Sequence, residues 1–195
     1  MNAPVPRVRV VREGFVVREG ERIVDASSSV TLVESRGIVL IVDTASPKDE
    51  DLLLRSLKNL GMDPGRVDFV VNTHMHIDHV GCNDLFNNAR VCAHAAENPP
   101  AGAFRITEDH EIAPGALVSP TPGHTPGCIS VFVGAERKYA ICGDAIPTKA
   151  NYDSRVPPAI HSDRRLAVMS MDRILSWADI VVPGHGPPFA VIRKK

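Results

Sequence analysis

Residues 73–79 read T-H-M-H-I-D-H, and they follow an apolar run, 67–72, with the pattern of a buried strand. The heptad therefore falls on the loop at the C-terminal end of that strand, where side chains are presented at a sheet edge. Side chains two apart in an extended segment point the same way, so His74, His76 and Asp78 can converge. His79 can turn to the other side as a short helix begins, predicted near 79–86. One loop thus offers three imidazoles and a carboxylate, a donor mixture that suits zinc and other borderline divalent metals.

Three more ligand-type residues each stand in a tight Gly/Pro setting after an apolar run. They are His124 in T-P-G-H-T-P-G, Asp144 in C-G-D-A and His185 in V-P-G-H-G. Glycine beside a ligand lets the backbone turn sharply and pass close to an ion. A solitary His or Asp in a loop is ordinarily solvated. Seven residues of this chemistry in this arrangement point instead to a metal centre.

The order H-x-H-x-D-H followed by later His, Asp and His resembles the metallo-β-lactamase fold superfamily, with the match running from about residue 30 to 189. V-T-L-V-E-S, D-H-V-G-C and V-V-P-G-H-G-P-P-F are similar to a compact branch of it, associated in animals with RNA cleavage. The resemblance implies an α/β (α+β) fold, an αββα four-layer sandwich with two divalent metal ions at the sheet edges, zinc in the first instance and manganese or iron as alternatives. Carried over residue by residue, it implies that His74, His76 and His124 hold the first ion, that Asp78, His79 and His185 hold the second, and that Asp144 bridges them. Two such ions share a hydroxide and bring its pKa to roughly 7 or below. Asp78 and Asp144 are then the catalytic carboxylates, Asp78 as proton relay. The expected reaction is metal-assisted hydrolysis of a small ester-type or phosphodiester substrate, with no G-x-S-x-G nucleophile elbow.

Departures from the branches narrow this. Ten residues follow His185, which leaves out the C-terminal helical domain of glyoxalase II, and His76 stands where flavodiiron proteins carry Glu. Zinc β-lactamases lack an Asp at the position of Asp144, and acyl-homoserine lactonases place a Tyr where this chain has Pro147. β-Lactam or lactone cleavage is thereby a side activity. The rival enzyme class is a mononuclear iron persulfide dioxygenase, whose two His and one Asp are a subset of this ligand set. The non-enzymatic rival is a metal-binding or interaction protein, and structural zinc sites are closed four-coordinate ones.

Outward from the motifs, the first third reads as strands: 5–17 alternates apolar and charged residues, and 30–34 and 38–42 are β-rich. Arg7 and Arg9 would share a solvated face. A helix is predicted over 47–60, with Ser46 as N-cap, Pro47 at its first position and Leu53, Leu57 and Leu60 on one face. Strands are predicted at 90–93, 116–119, 129–133, 139–142 and 179–182, and a second helix over 163–177 with Leu166, Ser170, Ile174 and Trp177 on one stripe. Two groups of strands each followed by helices suggest two sheets inside and helices outside. The segment 146–162 should border the cleft, with Lys149, Tyr152, Arg155 and His161 as candidate substrate contacts. His94 reads as a structural residue and His110 as a surface side chain.

Composition bounds the rest. A chain of 195 residues, 44% apolar and 23% charged, reads as one domain over 1–195 that needs no disulfide staples. Cys82, Cys92, Cys128 and Cys142 show no C-x-x-C spacing and read as small buried hydrophobes. No apolar run approaches a membrane span and residues 1–11 hold no apolar signal region, so the expectation is a cytoplasmic protein with no membrane partner. A net charge of −1 offers no polyanion track, which favours a small-molecule substrate over RNA and leaves a homodimer open.

Overall fold

The computed structural model describes residues 5–193; the first four residues of the segment read above for a signal region lie outside them. Strands β1 (Arg7–Arg12), β4 (Val30–Ser35), β5 (Ile38–Val42), β6 (Phe69–Val71), β7 (Arg90–His94) and β8 (Phe104–Ile106) form one sheet in the order β1-β4-β5-β6-β7-β8. Between β1 and β4 a separate hairpin, β2 (Phe15–Glu19) and β3 (Arg22–Ser27), leaves that sheet. The second sheet is ordered β14-β13-β12-β11-β10-β9. Its strands are β9 (His110–Ala113), β10 (Ala116–Pro120), β11 (Ile129–Gly134), β12 (Lys138–Ile141), β13 (Ile180–Val182) and β14 (Phe189–Ala190).

The β5 run I-V-L-I-V is apolar throughout because both its faces are buried. Leu40 and Val42 point between the sheets, where they meet Val118, Ile129, Val131 and Val182 of the second sheet. Val39 and Ile41 point the other way, onto Leu53 and Leu57 of helix α1 (Glu50–Asn59). The second sheet repeats the arrangement. Val131 faces inward, while Phe132, Ala140 and Val181 pack on Met171 and Ile174 of the 14-residue helix α4 (Arg164–Trp177). The result is an αββα four-layer sandwich. The tight β4–β5 link is Arg36-Gly37, both with positive φ, as a type I′ hairpin turn requires.

Several sequence expectations are corrected. The alternation over 5–17 is two strands, broken at Glu13-Gly14, and only the second belongs to the hairpin. Arg7 is exposed, but Arg9 is half-buried and pairs with Glu34 at 2.8 Å. Ser46 precedes a short 3₁₀ turn and makes no side-chain cap. On α4 the buried stripe is Ala167, Ser170, Met171, Ile174 and Leu175, so Leu166 and Trp177 lie at its margins. The helix near 79–86 is one turn of α-helix, α2 (Ile77–Val80), then a 3₁₀ turn. All four cysteines are buried and free. No helix of the described residues is long and apolar enough to cross a membrane.

Candidate metal centre

The loops that leave β6, β12 and β13 and the β10–β11 connection meet at one end of the sandwich. A backbone hydrogen bond from Ile129 to the Thr73 carbonyl, 2.8 Å, ties the two sheets there. His74 and His76 leave β6, α2 carries Asp78 and His79, and His124 comes from the β10–β11 connection. Asp144 follows β12 and His185 follows β13. The turns need their glycines: a Cβ on Gly184 would overlap Asp144 Oδ1, and one on Gly123, at φ +141°, would overlap Ala167 of α4.

All seven histidines and aspartates singled out by the sequence converge, in overlapping groups whose ligand atoms lie within 4.8 Å of one another. His74, His76 and His124 form one group, and Asp78, His79 and His185 another. His76 Nδ1 stands 3.0 Å from His74 Nε2 and 3.1 Å from His124 Nε2. Nitrogens held about 3.3 Å apart are what a tetrahedral ion with Zn–N bonds near 2.0–2.1 Å demands. Asp144 lies between the groups: Oδ1 is 3.5 Å from His79 Nε2 and 3.3 Å from His185 Nε2, and Oδ2 is 3.5 Å from His124 Nε2.

The neighbouring atoms fix which nitrogen faces inward. Carbonyls only accept, so His124 Nδ1–H donates to the Ile160 carbonyl at 2.7 Å and His185 Nδ1–H to the Ser27 carbonyl at 3.0 Å. His79 Nδ1–H donates to Asp43 Oδ2 at 2.8 Å. In its neutral form each ring then turns a bare Nε2 lone pair to the centre, the arrangement that orients metal-bound imidazoles. His79 Nε2 and Asp144 Oδ1 are buried and, among the described residues, have no hydrogen-bond partner. Two buried polar atoms 3.5 Å apart with no partner are costly unless a cation sits between them, so the donor set fits divalent metal.

Without an ion the centre is electrostatically frustrated. Burial, reinforced by neighbouring imidazoles, pushes the His74 proton affinity well down, and His76 follows for the same reasons. Burial also opposes charge on His79, but Asp43 and Asp144 outweigh it and raise that pKa well above the usual range. Burial likewise works against the Asp144 carboxylate, but His79 and His185 outweigh it and hold its pKa well below 3.8.

The supporting residues were not singled out from the sequence. Asp43 accepts from Thr73 N, Thr73 Oγ1 and His79 Nδ1, all at 2.8 Å. Glu97 accepts from Met75 N at 3.0 Å, Thr125 Oγ1 at 2.6 Å and Gly127 N at 3.0 Å, so one carboxylate clasps two ligand loops. The buried triplet Ser27-Ser28-Ser29 does likewise through its backbone, reaching the Asp78 and Gly184 carbonyls. The S-S-S run and the Asp directly after the I-V-L-I-V strand were the visible signals.

The segment 146–162 does border the centre, but none of Lys149, Tyr152, Arg155 and His161 lines the cavity there. Lys149 is exposed and pairs with Asp153 on helix α3 (Lys149–Ser154). Tyr152 is buried against Phe189, with its hydroxyl accepting from Ile192 N, and Arg155 lies over its ring. His161 Nδ1–H donates to the Pro158 carbonyl. His94 caps a 3₁₀ turn through Ala96 N, and exposed His110 stacks on Phe104.

The fold and this centre define a class, and the comparisons agree with it. The profile of the Metallo-beta-lactamase superfamily matches residues 23–113 and 98–185. A "probable metallo-hydrolase" of Methanocaldococcus jannaschii is 35% identical over 181 residues, covering 91% of this chain and 86% of that one. Metallo-beta-lactamase domain-containing protein 1 of Xenopus laevis is 34% identical over 201 residues, covering 95% and 82%. An N-acyl homoserine lactonase of a Bacillus species is 30% identical, covering 86% and 77%. The solved structure of a metallo-beta-lactamase family protein from Thermus thermophilus shares the fold, with a TM-score of 0.72 at 20% identity, covering 94% and 75%. The chain belongs to the metallo-beta-lactamase superfamily. Within it, the chain is a metal-dependent hydrolase.

Proposed function

We propose that the chain is a binuclear hydrolase, with zinc as the metal of first expectation, that cleaves an ester-type bond in a small molecule. The carrying observation is Asp144, whose two oxygens reach one ligand group each. Two divalent ions held by His74, His76 and His124 and by Asp78, His79 and His185 would bring water's pKa near neutrality and polarise the bond under attack. Asp144 keeps the groups in register. Asp78, half-buried and open to the cleft, is placed to relay the proton released by the attacking water to a leaving alkoxide. His124 and His185 form the floor on which a substrate lies. An RNA substrate is disfavoured because Arg18 is the one cation among the cavity-lining residues, histidines aside.

The test joins metal analysis to turnover. About two ions per chain, with hydrolysis of p-nitrophenyl acetate or bis(p-nitrophenyl) phosphate that a chelator abolishes, is the expected result. A single iron per chain with oxygen uptake on a persulfide would replace this reading by the dioxygenase.

A further inference from the structure

The cleft at the metal centre has two arms. One is a cavity of about 380 Å³, walled by Val16 and Ile23 of the β2–β3 hairpin and by Pro147, Val156, Pro158 and Ile160. The other, about 340 Å³, is bounded by Asp25, Ser46, Ile77 and Asp78. Both reach His124, Asp144 and His185, and both are bordered by Ile23 and Ile160, which stand between them.

Both arms have apolar walls, and they differ in the polar groups set among them: Arg18, Thr148, Asn151 and Ser154 in the first, Asp25, Ser46 and Asp78 in the second. Large apolar side chains left in solvent are ordinarily scattered, and gathered ones mark a ligand surface. Here Ile23, Val24, Ile77, Val156 and Ile160, 37–66% exposed, are gathered around one centre. The first arm's single cation, Arg18, already donates to the Glu21 carbonyl of its own turn at 3.2 Å. The second arm is lined by no Lys or Arg, but does carry the Asp78 carboxylate, the Ser46 hydroxyl and Asp25, which pairs with Lys48 at its rim. Beyond the metal centre, flanking phosphates would find one guanidinium, Arg18, in the first arm and no Lys or Arg lining the second.

We infer that the substrate is a carboxylic ester of a medium-chain aliphatic acid, with the acyl chain in the Val16–Ile160 arm and a small polar alcohol in the Asp25–Ser46 arm. This rests on the hydrolase reading and deepens it. Water adds to the acyl carbon, the acyl C–O bond breaks, and a carboxylic acid and an alcohol leave, with no oxidant or reductant required. At about 30 Å³ for each water-sized volume, the first arm holds roughly a dozen such volumes, enough for a chain of about six to ten carbons. Ile23 and Ile160 are the specificity-determining positions, because they border both arms and so meet the acyl chain where it leaves the metal centre.

The test uses the metal-loaded protein, p-nitrophenyl esters from acetyl to decanoyl, bis(p-nitrophenyl) phosphate, and calorimetric binding of acetate and octanoate. Expected is a rise in kcat/KM of about fourfold per methylene, the roughly 0.8 kcal/mol of a buried CH₂, to a plateau near octanoyl. Ala150→Trp on exposed α3 narrows this arm and should cut the octanoyl-to-acetyl ratio at least tenfold. Met169→Ala, exposed on α4 and away from the cleft, should leave that ratio unchanged. Ester turnover that is flat in chain length, with octanoate binding no tighter than acetate, overturns the inference and leaves the hydrolase reading standing. Faster turnover of the phosphodiester than of every ester also overturns it. Absence of all turnover, with octanoate still preferred and the preference lost in Ala150→Trp, sinks the hydrolase reading and supports the aliphatic arm.

Discussion

His79 shows how one buried side chain ties proton chemistry to metal chemistry. Its raised pKa means that, in metal-free protein, its pairing with Asp43 stabilises fully below the unfolded value of 6.5 and is lost as pH rises through the folded value. Asp43→Asn keeps one acceptor oxygen, for Thr73 N, but removes the anion; the hydrogen bonds lost at the other oxygen cost the same at every pH, so the pH-dependent part of the cost reports the charge. Its cost in chelator-treated protein should therefore be larger at pH 6 than at pH 9, by about 1.4 kcal/mol for each unit the His79 pKa falls. Thermal melts of both proteins at the two pH values check this, and equal costs at both would show that His79 does not carry the proton. At Asp144 the expectation concerns the ions. Asp144→Ala should lower bound metal from about two per chain to about one and cut hydrolysis at least roughly 100-fold with an unchanged circular dichroism spectrum. Full activity with both ions present would remove the bridging role. The ligands were legible because imidazoles and carboxylates two apart on a strand-end loop have few other uses. Asp43 and Glu97 were not, since a lone acidic residue in a loop looks solvated until the chain folds back onto it.

Glu97 acts between elements, on the turn after β7, holding the T-H-M-H loop and the G-H-T-P-G loop in one grip. Glutamine has a single acceptor oxygen there, so Glu97→Gln must release one loop. Competition with a chelating dye should find metal held by His74, His76 and His124 about 10–100-fold more weakly, with the weaker fraction restored by excess metal. Unaltered affinity would reduce Glu97 to a surface residue. On α1, Leu53→Ala should cost about 2–5 kcal/mol in urea unfolding, because Leu53 is fully enclosed against Leu32 and Ile41. Elements with strong patterning were readable: β5 and β11 to within a residue, and α1 to within one residue at its end and three at its start, where a 3₁₀ turn precedes it. The three-residue β8 and the two-residue β14 were not, because so few residues carry no period, and the six-residue β3 was not, because R-I-V-D-A-S does not alternate. The α4 stripe was right at Ser170 and Ile174 and wrong at its ends: small Ala167 faces the sheet where Leu166 was the louder hydrophobe, and Trp177 lies at the margin. The cavity walls were illegible for a similar reason, being valines, prolines and alanines brought together only by folding.

At the scale of the molecule, the ligands come from both halves of the sandwich: His74, His76, Asp78 and His79 from the first sheet's loops, His124, Asp144 and His185 from the second's. Bound ions would then clamp the sheets at one end, and removing them should cost global stability. With free metal at 1,000 times its dissociation constant the difference is about 4 kcal/mol, read as a lower Tm after dialysis against chelator. An unchanged Tm would mean that the metal end contributes nothing to holding the layers together. The two-layer plan was inferable from alternating groups of strands and helices, but the strand order was not legible, since periodicity does not say which strand lies beside which. The spread of the ligands also sets a timetable. While the chain is being synthesised, the first loop appears with three imidazoles and one carboxylate, but Asp144 and His185 emerge much later, so an ion met early finds only a fragment of its cage. Capture therefore belongs to the end of folding, and a cell starved of metal would accumulate finished but empty molecules rather than unfinished ones.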